Sequence, residues 1–421
     1  MIKTITILPG VTLRCHTDHR FKQGALSLQL VRPMDETEAA MNALLPAVWL
    51  RGTENYPDLR AITLKLDDLY GASVSALVRR IGDYQTTGLY CSFMEDRFAM
   101  DADEILAPMI GFLKELLCHP IVENGGLCGD FVESEKKNLI STIESERNDK
   151  RVYAAAQLLR TMCKADSFGI PRLGTVEQAK KIDAVSLYAH HRKILCQSPV
   201  ELFYVGSAAP ERVAELLKGL FSGLDREQTQ HPPQTPFRDA GGEKKVETLN
   251  VAQSQLCLGF VTDITNRDPR FAAMQVLNTL FGAGMTSKLF MNVREKLSLC
   301  YAIGSGYYGT KGILTVNAGI DANKEDVARQ EILRQLDACK TGDITDCELE
   351  AAKEAILSGL RGVHDSPGAI ESYYATALLS GLARTPEQYR QEVEQVTLSH
   401  VTAAANTLQL HTDYFLKGVG A

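Results

Sequence analysis

An α+β protein of two duplicated domains, each an antiparallel sheet with helices packed on one face, is what this 421-residue sequence predicts. Three observations carry that expectation. Strand-like runs come in pairs joined by short turns and alternate with amphipathic helices, the pattern of helices layered on antiparallel sheets. The stretch 225–245 is poor in apolar residues and carries Pro232, Pro233, Pro236 and the pair Gly241–Gly242, which is linker composition. The order of elements before that stretch recurs after it. The expected domains are therefore residues 1–224 and 246–421.

Taken in order, "MIKTITILPGVTLRC" alternates as strands do. "GALSLQLVRPMDETEAAMNALL", from Gly24, reads as a strand, a polar turn and a helix that starts near Ala39. "QSQLCLGFVTDITNRDPRFAAMQVLN", from Gln253, reads the same way, its helix starting near Ala272. A second helix and strands follow in both halves: "LVRRIGDYQTTGLYCSF" in one, "AIGSGYYGTKGILTVNAGI" in the other. Strands are expected at 200–207 and 312–320. Val213, Leu216, Leu217 and Leu220 share one helical face, a further helix runs through "DVARQEILRQLDA", and Thr345 with Glu348 forms a capping box that opens another. In "MNALLPAVWLRGT" Met41, Leu44, Leu45, Val48 and Trp49 share a face, yet Pro46 sits among them. A proline there removes the donor to the Asn42 carbonyl, at a cost of about 3 kcal/mol.

Composition excludes several classes. The formal net charge of -7, without a basic run, argues against a nucleic-acid partner. No stretch of eighteen apolar residues predicts a membrane span. The N-terminus lacks the regions of a signal peptide, and the ten cysteines are scattered without a C-x-x-C, so a reduced, cytoplasmic setting is expected. There is no G-x-S-x-G elbow, and "GAGMTS" lacks the ending of a phosphate loop. Cys118 and His119, with Cys128 further on, lack a fourth donor, and adjacent residues rarely ligate one ion. On a helix, the neighbours His190 and His191 would point to different faces.

The most specific signal is "GAGMTSKLFMNVREKLSLCYAIGSGYYGTKGILTVNAGI". Gly282 and Gly284 precede Ser287-x-Leu289-Phe290, then Arg294-Glu295-Lys296, then Leu299-x-Tyr301 and a strand hairpin. Residue types and spacing together resemble the C-terminal domain of the pitrilysin/insulinase peptidases, the group with the inverted zinc motif H-x-x-E-H. Gly52-Thr53 after a helix, Leu69-Tyr70-Gly71-Ala72, and "FVESEKKNLISTIESERNDKRVYA", similar to the family's long helix, extend the resemblance over most of the chain.

The resemblance implies where a zinc site would stand. Counting back from Gly52-Thr53, the two histidine ligands become Ala43 and Ala47, and the glutamate that activates water becomes Pro46. With Glu135 and Lys136 aligned to the family's Glu-Arg, the third ligand falls at Thr142. Alanine donates nothing to a metal and proline cannot act as a base, so no zinc and no catalysis are expected in this chain alone. The resemblance also implies a retained half. Arg294 and Tyr301 match the arginine and tyrosine that hold the substrate backbone near the metal in zinc-bearing relatives. The expected role is that of a non-catalytic, substrate-holding subunit, working on peptides beside a homologous partner that carries H-x-x-E-H and the zinc. The alternative is a catalytically dead scaffold or assembly protein of the same fold.

Overall fold

The computed structural model describes residues 2–227, 230, 231, 233–239, 241–382 and 384–419. Residues 228, 229, 232 and 240 of the expected linker, Pro232 included, lie outside the described residues. The chain divides into two compact units, each assembled from several stretches. Unit 1 comprises residues 1–144, 170–233 and 364–375; unit 2 comprises 145–169, 234–363 and 376–421.

Unit 1 holds β1 (Ile2–Leu8), β2 (Val11–Thr17), β3 (Gln23–Pro33), β4 (Ser73–Ile81), β5 (Tyr84–Met94), the short hairpin β6 (Val122–Glu123) and β7 (Gly126–Leu127), and β8 (Val200–Gly206). Its six-stranded sheet runs β1-β2-β8-β3-β5-β4. Unit 2 holds β9 (Lys244–Leu249), β10 (Ser254–Val261), β11 (Cys300–Tyr308), β12 (Ile313–Ile320) and β13 (Gln409–Gly418), in the order β11-β12-β10-β13-β9. Read from its other edge, this order matches β2-β8-β3-β5-β4 strand for strand. The directions match too: β2 and β8 are parallel, β9 and β13 are parallel, and the remaining pairs are antiparallel. The two sheets therefore share one topology, with β1 added in unit 1. The sheets are antiparallel as expected apart from that one parallel pair in each. Its strands lie far apart in sequence, so no local turn signal announces it.

Helices of unit 1 include α1 (Ala39–Trp49), α2 (Leu59–Asp68), α3 (Leu106–Cys118), most of α4 (Gly129–Asn148), α6 (Val176–Lys180), α7 (Ala184–Gln197) and α8 (Pro210–Lys218). Leu26, Leu28, Leu30, Leu89 and Leu202 of the sheet form one core with Leu44, Leu45 and Val48 of α1, Leu113 of α3, Leu187 of α7 and Leu217 of α8. Unit 2 holds α5 (Lys150–Met162), α9 (Phe271–Asn278), α10 (Glu325–Thr341), α11 (Asp346–Gly362), α13 (Pro386–Glu394) and α14 (Leu398–Thr407). The Thr345–Glu348 capping box forms as expected.

Helices cover both faces of each sheet, a correction to the expected layering. In unit 2, Leu256, Leu258 and Phe260 are fully buried on one face of β10. On the other face Cys257 packs with Ala154 and Leu158 of α5. At Gly259 a Cβ would come within 2.8 Å of the Met162 sulfur, so α5 lies close enough that a side chain there would displace Met162. In unit 1 the second face receives the first turns of α12 (Pro367–Leu379), with Ile370 against Ala25 and Val205. Glu371 is buried there, accepting from Ser27 Oγ at 2.6 Å and from Arg79 at 2.8 and 3.0 Å. Each sheet is thus covered on its second face by a segment drawn from the opposite half of the sequence.

Candidate functional site

The positions where the resemblance places zinc ligands lie on α1 and α4 of unit 1. Ala43 and Pro46 are buried, Ala47 is half-buried, and Thr142 is exposed with its hydroxyl donating to the Asn138 carbonyl at 2.9 Å. None of the three α1 side chains offers a donor, so this position does not fit a zinc ion. Among the described residues no group of three His, Cys, Asp or Glu side chains is arranged to hold a metal.

Hydrogen bonds occupy the region instead. The Asn42 carbonyl, which loses its helical partner at Pro46, accepts from Thr87 Oγ1 of β5 at 2.6 Å. The orphan acceptor that makes an interior proline costly is thereby satisfied. The Asn42 side chain donates to Gln85 Oε1 at 2.9 Å and accepts from His190 Nε2 at 2.7 Å. Gln85 in turn donates to the carbonyls of Ala39 and Arg172. His191 Nδ1 accepts from the Trp49 indole at 3.0 Å. Both histidines are buried beside α1, and burial pushes each imidazole down to about 4, so both are neutral at pH 7. The loop after α1 is equally tight. A Cβ on Gly52 would meet the Pro57 carbonyl at 2.6 Å and the Phe131 ring at 2.9 Å, and Arg51 pairs with Glu135 of α4 at 3.4 Å.

Arg294 and Tyr301 stand in unit 2, where backbone irregularities aim them. Arg294 lies in a π-helical segment, Leu289–Lys296, after which the Leu297 amide donates five residues back, to the Asn292 carbonyl. Ser298 then takes a left-handed conformation, φ 50°, a rare state for a residue with a Cβ. Tyr301 is the extra residue of a β-bulge: Cys300 pairs with Ile320 and Ala302 with Gly319. π-segments and bulges both re-aim side chains, and both concentrate at functional sites.

The two residues share a pocket of about 380 Å³ with Glu295, Ser298 and Lys324. The Arg294 guanidinium lies over the Phe290 ring at 4.6 Å and 3.5 Å from Glu295. Tyr301, 63% exposed, donates its phenol proton to Asp321 Oδ1 at 2.9 Å. Lys324 binds the other oxygen of Asp321 at 3.0 Å and reaches the Ser298 carbonyl at 3.3 Å. Hydrogen bonding to Lys324 and Tyr301 holds the Asp321 carboxyl below its ordinary range, and the Asp321 contact raises the phenol. Glu295 in the pocket and Asp321 beside it offset Arg294 and Lys324, so the site suits a neutral polar ligand better than an anion.

The structure places Arg294 and Tyr301 on one pocket and the α1 positions in a closed network. Asn42, Gln85, Thr87, Asp321 and Lys324 were not expected. Pro46 itself pointed to the first group, because its lost donor requires a replacement for the Asn42 carbonyl. Nothing local in the sequence marks Asp321.

The chain resembles known proteins over its whole length. Residues 181–356, which contain the Arg294 pocket, match the family described as the peptidase M16 inactive domain. The chain is 28% identical over 409 residues to the probable inactive metalloprotease YmfF of Bacillus subtilis (strain 168), covering 97% of this chain and 96% of that protein. A conserved protein from Enterococcus faecalis V583 has the same fold at TM-score 0.93 and 28% identity, over 100% of this chain and 99% of that one. A peptidase M16 inactive domain from Pseudomonas fluorescens, 16% identical, shares the fold at TM-score 0.82, over 100% of this chain and 99% of that one.

Proposed function

Because the chain is a homologue of the M16 (pitrilysin/insulinase) peptidases and resembles those named inactive, we propose that it is the non-catalytic, substrate-holding subunit of a heterodimeric zinc peptidase. The observation that carries this reading is the contrast within one chain: the zinc positions hold Ala43, Pro46 and Ala47, while Arg294 and Tyr301 line an open pocket. The partner is a homologous subunit with H-x-x-E-H, which supplies the zinc and the base. This chain supplies a guanidinium and a phenol that hold a peptide near the partner's metal. An extended peptide fits that role, because an added strand presents its backbone groups in a fixed register. The complex works in the cytoplasm, in keeping with ten free cysteines and no helix among the described residues long and apolar enough to cross a membrane.

The test is reconstitution with an H-x-x-E-H homologue from the same genome. The two chains should co-purify, and the mixture should cleave a quenched fluorescent peptide that this chain alone leaves intact. The double change Arg294→Ala, Tyr301→Phe should slow cleavage on the order of 10²-fold, the scale of losing a positioned donor to a reacting group. An unchanged rate would overturn the substrate-holding role. Failure of the chains to associate would favour the scaffold reading.

A further inference from the structure

Tyr301 has one proton to donate, and in this structure Asp321 takes it. Asp321 is held in turn by Lys324, which bridges to the Ser298 carbonyl. The carboxylate therefore sits at the end of β12 in a fixed position, accepting from two donors. The phenol oxygen keeps its lone pairs, and at 63% exposure it can still accept a hydrogen bond from outside. Arg294 has only donors to offer. We infer that Asp321 is a positioning residue that commits the Tyr301 proton, so that Arg294 and Tyr301 meet an extended peptide as a donor–acceptor pair, the guanidinium donating to a backbone C=O and the phenol oxygen accepting from a backbone N–H.

This rests on the substrate-holding reading and specifies it. Two donors would suit a carboxylate, a phosphate or an oxyanion. A donor beside an acceptor matches the C=O and N–H that every residue of an extended strand presents, whatever its side chain. The balance of charge at the site points the same way, since Glu295 in the pocket and Asp321 beside it offset Arg294 and Lys324. The bulge at Tyr301 and the π-helical turn at Arg294 hold the two groups on one pocket.

The full-length chain and its variants are measured with a fluorescein-labelled, unstructured alanine–serine–lysine peptide, and with analogues in which one backbone N–H at a time is an ester oxygen. In the wild type, one ester position should weaken binding about tenfold, the loss of one hydrogen bond's worth of affinity. That discrimination should vanish in Tyr301→Phe, shrink in Asp321→Ala, where the freed hydroxyl can turn its proton to the peptide, and persist in Asp321→Asn, which keeps an acceptor. Discrimination that survives Tyr301→Phe, or is undiminished in Asp321→Ala, overturns the inference. Without any peptide, the Tyr301 phenol, followed by NMR with ring-labelled tyrosine, should titrate at lower pH in Asp321→Ala than in the wild type; identical titrations overturn the committed proton. The underlying reading fails separately. If the parent peptide does not bind the wild type, or binds Arg294→Ala equally well, the pocket holds no peptide and the inference falls with it.

Discussion

Around α1, the side chains of Asn42, Gln85, Thr87, His190 and His191 are buried and each has a hydrogen-bond partner. Around Arg294 and Tyr301, the polar groups stand at the surface of a pocket and pair with neighbours that are themselves exposed. The α1 region has a helix that runs through its proline and packs as core. The Arg294 region has a π-segment, a left-handed serine and a bulge within thirteen residues of chain, from Leu289 to Tyr301. A site built to receive something tolerates exposed polar groups and irregular backbone, whereas a region that receives nothing can close on itself. The difference teaches how α1 positions that offer a metal no donor can be closed within the fold. Packing and a satisfied polar network fill the α1 region, whereas the exposed polar groups stand where the backbone is irregular.

That contrast can be broken by experiment, most strongly at the centre of the α1 network. Asn42→Ala removes a donor and an acceptor at once and leaves Gln85 and His190 unsatisfied in the core. It should lower unfolding free energy by about 3–4 kcal/mol in urea titrations, since each orphaned buried group costs about 1–3 kcal/mol. A loss below about 1 kcal/mol would mean the network is not sealed.

Next comes pH. His190 and His191 have folded-state values of about 4, below the ordinary 6.5. A depressed imidazole binds fewer protons folded than unfolded, so its stabilisation is complete above pH 6.5 and is lost as pH falls from 6.5 towards 4. For the more deeply buried His191 the loss is on the order of 3 kcal/mol. Unfolding midpoints measured from pH 7 to pH 4.5 should fall steadily, and His191→Gln should flatten part of that slope.

The third effect concerns the proline. Thr87→Val removes the hydroxyl that serves the Asn42 carbonyl and should cost about 1–3 kcal/mol. Adding Pro46→Ala restores a backbone donor to the same carbonyl and should recover most of that loss in a double-mutant cycle. Full additivity of the two changes would sink the assignment. Smallest of all is the effect on stability at the other region. Arg294→Ala and Tyr301→Phe should each leave the unfolding midpoint within about 0.5 kcal/mol of wild type, as exposed groups do. A large loss there would make the pair structural and remove the contrast.

Much of this was legible in the residues. Alternation and turn spacing foretold β3, β8, β10 and β12, the capping box foretold the start of α11, and the repeat anticipated two sheets of like topology. The run from Gly282 to Tyr301 marked the pair that shares a pocket, because spacing of distinctive residue types survives in sequence. The parallel strands β2–β8 and β9–β13 were not legible, since nothing in a strand's own residues names a neighbour some 160 to 190 positions away. Nor was the burial of Glu371, in a stretch that reads as a loop and a helix start, because its partners Ser27 and Arg79 come from the far half of the chain.

By itself, then, the sequence determined the absence of donors at positions 43, 46 and 47 and the presence of a guanidinium and a phenol at 294 and 301, because side-chain chemistry is written residue by residue. It also posed the question of how a core helix bears Pro46. Only the tertiary structure decided the answer, a threonine on a neighbouring strand, and only it decided that the Tyr301 proton belongs to Asp321. Both are hydrogen bonds between groups brought together by packing, and an unfolded chain holds no record of which donor will meet which acceptor.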